Sequence, residues 1–337
     1  MKGALLVNLG SPNSTSTKDV RNYLDEFLMD KRVIDVPYLL RAFLVKGIIL
    51  NTRPKKSAAA YKKIWWDEGS PLIVLSERLH KKVKENSKIP VELAMRYGNP
   101  SIKSGIQKLA KQGVTEILLI PLYPQFAMAT TETIEVLANE IVKKQFPNIK
   151  LTMVPAFYNK PDYIEVLSES IQNELTILKP EHLLFSYHGV PERHIKKSDI
   201  TKSHCKIDGS CCNTPSPAHE FCYRHQCYET TKQVAEKLNL KEGSYSTSFQ
   251  SRLGNDPWLQ PYTSQVIDNF ATNNLKKLAV VTPAFVADCL ETLEEIGMEA
   301  KHSFMEKGGK EFNVIPCLND NDKWVTTLVD WIHIWAK

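Results

Sequence analysis

The chain has 337 residues, 42% of them hydrophobic and 24% charged, with a formal net charge of +5 from 43 basic and 38 acidic side chains. That length accommodates two ordinary domains, each able to bury its own core. Lys and Arg are interleaved with Asp and Glu, so the basic stripe of a nucleic-acid binder is missing and no nucleic-acid partner is expected.

The opening run, MKGALLVNLGSP, is too short for the apolar region of a signal peptide, and no cleavage site follows it. The most apolar stretch, YLLRAFLVKGIIL, is broken by Arg41 and Lys46 and does not read as a membrane span. A cytoplasmic protein is therefore expected, in which disulfides rarely persist. Within NTRPKKSAAAYKKIWW, Arg53, Lys55, Lys56, Lys62 and Lys63 stand beside Trp65 and Trp66. That segment reads either as a solvated helix face or as a patch facing anions or a membrane.

Apolar, β-rich runs predict strands at 4–10, 91–98, 115–124, 149–157, 182–189, 244–251, 277–285 and 311–317. Between them lie a long helical stretch over 17–86 and helices over 101–112, 130–145, 162–178, 226–239, 260–273 and 286–297. A final helix over 320–336 is expected to pack back on the first half. Alternating strands and helices call for parallel sheets with right-handed crossovers. The helical stretch at 17–86 and the loop at 190–225 spoil an eightfold repeat. The expected fold is α/β: two Rossmann-like, doubly wound domains, each a roughly four-stranded parallel sheet flanked by helices. Their predicted extents are 1–160 and 161–318, with a Cys-rich insert at 199–222 and a C-terminal helix in 319–337. No internal repeat stands out.

In open parallel sheets ligands bind beyond the carboxyl ends of the strands. Here those ends carry NLGSP, MRYGNPS, PLYPQ, SYHGVP, SFQSRLG and TPAFVADCLETLEE. None is a phosphate loop, so nucleotide binding is unsupported. The aromatic and Pro content suggests a flat, greasy ligand with a few anionic handles. His188 leaves a strand directly, with Gly189 and Pro191 shaping the turn, and an imidazole there accepts protons near neutral pH. Asp288, Glu291, Glu295 and Glu299 recur at spacings of three, four and four, which predicts one acidic strip along a helix. Like charges at that spacing are mildly unfavourable. A row of oxygen ligands for a divalent cation turns that cost to use.

LLVNLGSP, MRYGNPSI, LYPQ, SYHGVPERH, FQSRLGNDPWLQPYT and FVADCLETLEE occur in order from end to end. With these motifs the chain resembles the ferrochelatases, lyases that insert Fe²⁺ into a porphyrin to form haem. The resemblance implies the chelatase fold and an apolar lip near 30–50 that in this family can lie against a membrane. It implies His188 as the proton acceptor and Glu291 on the metal-delivery side. The Fe²⁺ path would then run past His188, Glu291, Glu295 and Glu299. Arg96, Tyr123, Gln250, Ser251, Arg252 and Trp258 match positions around the porphyrin. Protoporphyrin IX is expected ahead of coproporphyrin III. Alternatives on the same fold are a chelatase for another metal and tetrapyrrole, and a non-catalytic iron–sulfur or haem sensor. Many members have His where this chain has Cys289, which is read here as a small buried hydrophobe.

Five of the seven cysteines fall in the 23 residues from Cys205 to Cys227. An insert so poor in apolar residues cannot fold by burial alone, so something must staple it. Zinc, disulfides and free thiols are open readings. A [2Fe–2S] cluster is preferred because it tolerates irregular spacing and suits a reducing compartment. The expected ligands are Cys205, Cys212, Cys222 and Cys227, with Cys211 as the alternative.

Overall fold

Residues Ala4 to Val7 are all fully buried, with no alternation of exposed and covered positions. That pattern belongs to a strand covered by helices on both faces, and it recurs in the central strand of the second half. The computed structural model describes residues 1–252, 254 and 256–337. Its strands are β1 (Lys2–Asn8), β2 (Val91–Met95), β3 (Glu116–Pro121), β4 (Lys150–Met153), β5 (His182–His188), β6 (Tyr245–Gln250), β7 (Lys277–Val281) and β8 (Glu311–Val314). Every pairing is parallel. The two sheets run β2-β1-β3-β4 and β6-β5-β7-β8, each flanked by helices, as the alternation of strands and helices predicts. Both therefore share one strand order, second-first-third-fourth. The sequence hides this repeat because parallel strands ask only for generic Val, Leu and Ile.

The chain divides into two compact units. The first comprises Met1–Leu122, Met128–Pro155 and Asn319–Lys337. Its last helix, Asp322–Ala336, is capped by Asn321, whose side-chain oxygen accepts from the amides of Lys323 and Trp324. That helix packs on the helix Pro71–Asn86. Lys82 bridges Asp320 and Asp322 at 3.0 and 2.9 Å, and the Lys2 ammonium donates to the carbonyls of Trp335 and Ala336. The second unit comprises Tyr123–Ala127 and Ala156–Leu318. Its core includes Leu184, Leu278, Val280, Ile267, Ile296, Phe304 and Phe312. Among the described residues no helix is long and apolar enough to cross a membrane.

Beyond the end of β2 in the first unit, Asp30 collects four donors. The Arg96 guanidinium and the Thr133 hydroxyl both reach its Oδ2, Tyr97 Oη donates to it at 3.0 Å, and the Arg32 amide donates to Oδ1 at 2.8 Å. Burial opposes the charged carboxylate, but the Thr133 and Arg32 hydrogen bonds and the Arg96 charge hold it below its ordinary value. The network ties the segment after the helix Thr17–Leu28 to β2 and to the helix Thr133–Gln145. Removing one partner of such a pair strands the other charge, at a cost of about 3–5 kcal/mol. Asp30→Ala should therefore lower the urea midpoint of unfolding clearly, and Asp30→Asn should lower it less. An unchanged midpoint in the Ala variant would show that the network contributes nothing.

Candidate active site

The register of β5 against β6 places His188 opposite Gln250, the last residue of each strand. Just past them the chains touch. The Gly189 amide donates to the Gln250 carbonyl at 2.6 Å. A Cβ on Gly189 would lie 2.9 Å from that oxygen, 3.1 Å from the Ser251 carbonyl and 3.3 Å from the Trp258 ring, so only glycine fits. The bridge between Pro191 and Trp258 and the Leu259 amide bond to the Val190 carbonyl continue the contact.

This turn fixes the His188 ring. Its Nδ1 lies 2.7 Å from the Gly189 carbonyl oxygen. A carbonyl only accepts, so the proton of the neutral ring sits on Nδ1 and Nε2 carries the lone pair. The ring lies between Trp258, at 6.5 Å between centroids, and Phe285, at 6.2 Å edge-on. Tyr223 Oη holds the His188 carbonyl at 2.7 Å.

Opposite the ends of β5 and β6, Glu291–Ala300 is a π-helical stretch, a distortion frequent at functional sites. The acidic strip begins at Glu291. Asp288 precedes the helix, is buried, and accepts from the Thr292 hydroxyl at 2.8 Å, so it anchors the helix start instead of joining the strip. Glu291 and Glu295 are half-buried and Glu299 is exposed, a graded line from interior to surface. Glu295 is clamped by Ser251, whose amide donates to one carboxylate oxygen at 2.8 Å and whose hydroxyl donates to the other. Ser251 makes this clamp from left-handed backbone at φ 56°, a conformation that a non-glycine residue adopts only when its surroundings hold it there. Burial pushes the Glu295 pKa up and the Glu291 charge adds to this, against the Ser251 bonds and the His188 charge. His188, Glu291 and Glu295 are thus within electrostatic reach of one another. A cavity of about 360 Å³ opens beside the strip, lined by Ser251, Arg252, Tyr262, Asp268, Glu295 and Glu299 among others.

The structure accordingly brings together His188, Gln250, Ser251, Arg252, Trp258, Glu291, Glu295 and Glu299 within the second unit. Their surroundings refine what they do. Gln250 is buried, accepting from Ser186 Oγ at 2.7 Å, with Nε2 3.5 Å from the Glu291 carbonyl. Arg252 lies over the Tyr262 ring at 5.4 Å. Tyr123 is buried in the short segment that belongs to the same unit. Arg96 stands in the other unit, spent on Asp30 and Thr133. Leu253 and Asn255 of the FQSRLGNDPW motif lie outside the described residues. The sequence reading made Phe285 the end of the strand 277–285, but β7 stops at Val281 and Phe285 stands in the loop beyond it, edge-on to the His188 ring. Cys289, read as a small buried hydrophobe, is indeed buried, and burial and the neighbouring Glu291 charge push its thiol up.

The Cys-rich insert follows the helix Glu192–Ser198 in the same unit. Asp199 pins its start, accepting from the amides of Thr201, His204 and Cys205 and from the Thr201 hydroxyl. Despite its burial, these bonds lower its pKa to about 2. Cys211, Cys212, Cys222 and Ala218 are buried, so the thiols themselves supply much of the apolar packing the insert otherwise lacks. Cys205 is pushed up to about 12 by burial and by Cys222 and Cys211. Cys212 is pushed up to about 11 mainly by burial. Cys227 is fully buried; burial pushes its thiol up, Cys222 and Cys212 add to this, and Tyr223, Tyr187 and Tyr163 are also within its electrostatic reach. Among the described residues no group of three or more His, Cys, Asp or Glu side chains is arranged to hold a metal ion. The expected set Cys205, Cys212, Cys222 and Cys227 is therefore not assembled as a metal site.

The ferrochelatase family model matches residues 1–334. The ferrochelatase of Pseudomonas syringae pv. tomato is 48% identical over 326 residues, covering 96% of this chain and 95% of that protein. The ferrochelatase of Opitutus terrae is 45% identical over 339 residues, covering 100% and 98%. Among solved structures, SirB from Bacillus subtilis with Fe³⁺ superimposes with a TM-score of 0.54 at 10% identity, covering 98% of this chain and 94% of that one. At that identity the likeness speaks for the fold alone, which is that of the chelatases. The full-length match to the family model and the near-half identity to curated ferrochelatases over almost all of their length place this chain in the ferrochelatase family.

Proposed function

We propose that the protein inserts Fe²⁺ into protoporphyrin IX, with His188 taking the pyrrole protons and Glu291 receiving the metal. The family assignment carries the coarse activity, a lyase acting on a porphyrin and ferrous iron. The finer reading rests on one observation above all: the Gly189 carbonyl holds the Nδ1 proton of His188, leaving Nε2 free to accept one. Metallation must remove two pyrrole protons; a neutral imidazole with a bare Nε2 takes one at a time and returns it to solvent before it takes the second. Phe285 and Trp258 flank the ring with apolar surface, in keeping with a flat aromatic substrate. Arg252, Gln250, Ser251, Trp258, Tyr123 and Arg96 are proposed to shape the porphyrin site. For Gln250, Ser251 and Arg96 the role would be indirect, through the groups they hold.

The graded exposure of Glu291, Glu295 and Glu299 supports a cation path from the surface inwards. Hard oxygen ligands suit a ferrous ion that must be passed on. His188→Ala should cut metallation by about 10²–10⁴-fold, the usual contribution of a general base. Glu291→Gln should cripple turnover even at saturating Fe²⁺, whereas Glu299→Gln should chiefly raise the Fe²⁺ concentration required. Steady-state kinetics under anaerobic conditions, with protoporphyrin IX and coproporphyrin III in turn, read all three variants and the porphyrin preference. A Glu291→Gln enzyme with normal turnover would end the metal-path reading.

Glu295 also supplies a pH signature. Its native pKa lies above the ordinary value of 4.5, so the folded state holds this proton more tightly than the unfolded chain does. The resulting stabilisation is present at low pH and is lost as pH rises through the native pKa. Glu295→Gln should remove that loss, so the variant should melt higher than the wild type at neutral pH and match it more closely near pH 4.5. Equal melting temperatures at neutral pH would contradict the assignment.

Two further parts of the reading concern the insert and the lip. A [2Fe–2S] cluster is proposed for the insert, supported by its buried thiols facing a buried guanidinium, a donor set whose chemistry suits anionic sulfur. Cys205, Cys212, Cys222 and Cys227 would hold it, with Cys211 as the alternative. Bound there, the cluster would supply one-electron redox chemistry and a staple for the loop. Protein purified anaerobically should carry about two iron and two sulfide per chain in addition to any substrate iron, and colourless protein with stoichiometric zinc would refute this. Peripheral membrane contact from the cytoplasmic side is proposed for the helices Tyr38–Ala42 and Phe43–Ile49. There Tyr38, Leu39, Leu40, Phe43 and Ile48 are exposed, Leu39 at 81%, and exposed Lys46, Arg53, Lys55 and Lys56 lie on or just beyond them.

A further inference from the structure

The carbonyl of His188 and the amide of Gly189 belong to one peptide unit, which is planar and turns as a rigid piece. Both of its polar ends are held. The Gly189 amide donates to the Gln250 carbonyl at 2.6 Å, and Tyr223 Oη donates to the His188 carbonyl at 2.7 Å. The residue that follows is a glycine, whose backbone rotates most freely of all. Its own carbonyl is the one that accepts from His188 Nδ1. Holding the 188–189 peptide therefore holds the acceptor that fixes the tautomer. One jaw of this clamp is the backbone of β6, and the other is the Tyr223 side chain.

Tyr223 is only 6% exposed and opens the helix Tyr223–Lys237 directly after the insert, with Cys222 at the N-cap. A tyrosine has two side-chain torsions, so the start of the helix decides where its hydroxyl falls. The next three residues lock that start to the insert. Arg224 Nη1 donates to the Ile207 carbonyl at 2.6 Å and Nη2 donates to the Lys206 carbonyl. His225 Nδ1 donates to the Cys212 carbonyl at 2.8 Å. Gln226 Nε2 donates to the His219 and Glu220 carbonyls at 3.1 and 2.8 Å. These insert carbonyls find their donors in one helical turn, and the same turn delivers the Tyr223 hydroxyl to His188.

We infer that Tyr223 is a positioning residue for the proton acceptor: its hydroxyl steadies the 188–189 peptide so that the Gly189 carbonyl stays on Nδ1 and Nε2 stays bare. This rests on the reading of His188 as the proton acceptor given above. Which nitrogen of a neutral imidazole carries the proton is set by the hydrogen bond the ring makes. Without the Tyr223 hydroxyl the His188 carbonyl loses a donor and the peptide is free to tilt. The Gly189 carbonyl then leaves Nδ1 for part of the time, and a fraction of the rings carry the proton on Nε2. Those rings cannot take a pyrrole proton. Binding of porphyrin and iron does not depend on the tautomer, so the loss falls on kcat and not on KM.

The test compares the full-length wild type with Tyr223→Phe and Tyr187→Phe. Tyr223→Phe keeps the buried ring and removes the hydroxyl. Tyr187→Phe is the control, since its hydroxyl is also buried but lies on Thr231 Oγ1 at 2.9 Å. Long-range ¹H–¹⁵N correlation reads the His188 tautomer, anaerobic kinetics with Fe²⁺ and protoporphyrin IX read kcat and both KM values, and thermal melting reads stability. Tyr223→Phe is expected to show a mixture of the two tautomers and a kcat lower by about five- to tenfold, the weight of one buried hydrogen bond, with both KM values unchanged. Tyr187→Phe is expected to melt lower with the wild-type tautomer and kcat. Tyr223→Phe with the wild-type tautomer or the wild-type kcat would overturn the inference and leave His188 as the acceptor. Equal losses of kcat in the two variants would overturn it too, because stability alone would then explain them. Wild-type protein whose neutral ring is protonated on Nε2 would overturn the reading of His188, and this inference with it.

Discussion

The pairing of β5 with β6 governs the site. Its register brings His188 level with Gln250, and the chains then separate only after Gly189 has passed within hydrogen-bonding distance of the Gln250 carbonyl. Three consequences follow from that one approach. The Gly189 carbonyl is turned onto His188 Nδ1, which fixes the tautomer. Ser251 is forced into left-handed backbone, from which its amide and hydroxyl meet Glu295. The Gln250 side chain is directed between Ser186 and the start of the π-helical stretch. A slip of the register by one residue would send every one of these side chains to the other face of the sheet.

The acid side of the site has its own supports. Asp288, buried and bonded to Thr292, starts the helix, and the Cys317 amide lies 3.3 Å from its other oxygen. Cys289 is buried within electrostatic reach of Glu291. The carboxylates that repel one another along this helix are therefore not left to solvent. One is gripped by Ser251, one abuts a thiol, and the last reaches the surface. Repulsion that would merely weaken a solvated helix is here held in place by neighbouring elements, which is the usual sign that the charge has a use.

Much of this was legible in the residues. All eight strands were readable as apolar runs, because parallel strands buried on both faces need such runs. His188, Gly189 and Pro191 announced a strand exit. Spacing alone misled at Asp288, since it assumed a helix from 286, four residues before the helical stretch starts at Leu290. The insert was harder. Its composition showed that burial of ordinary apolar side chains could not fold it, but not that Arg224 would become its centre, because a buried Arg is indistinguishable in sequence from a solvated one. For Cys227, proximity in sequence to the other thiols suggested a shared ligand set. The structure buries it within electrostatic reach both of Cys212 and Cys222 and of Tyr163, Tyr187 and Tyr223.

The account stands on the state of one ring. In uniformly ¹⁵N-labelled protein, long-range ¹H–¹⁵N correlation of the His188 imidazole at a pH where the ring is neutral reads its tautomer directly. A proton on Nδ1 and a bare Nε2 are predicted, because the Gly189 carbonyl can only accept. A neutral ring protonated on Nε2 would contradict the account, since the nitrogen assigned to receive the pyrrole protons would already be occupied.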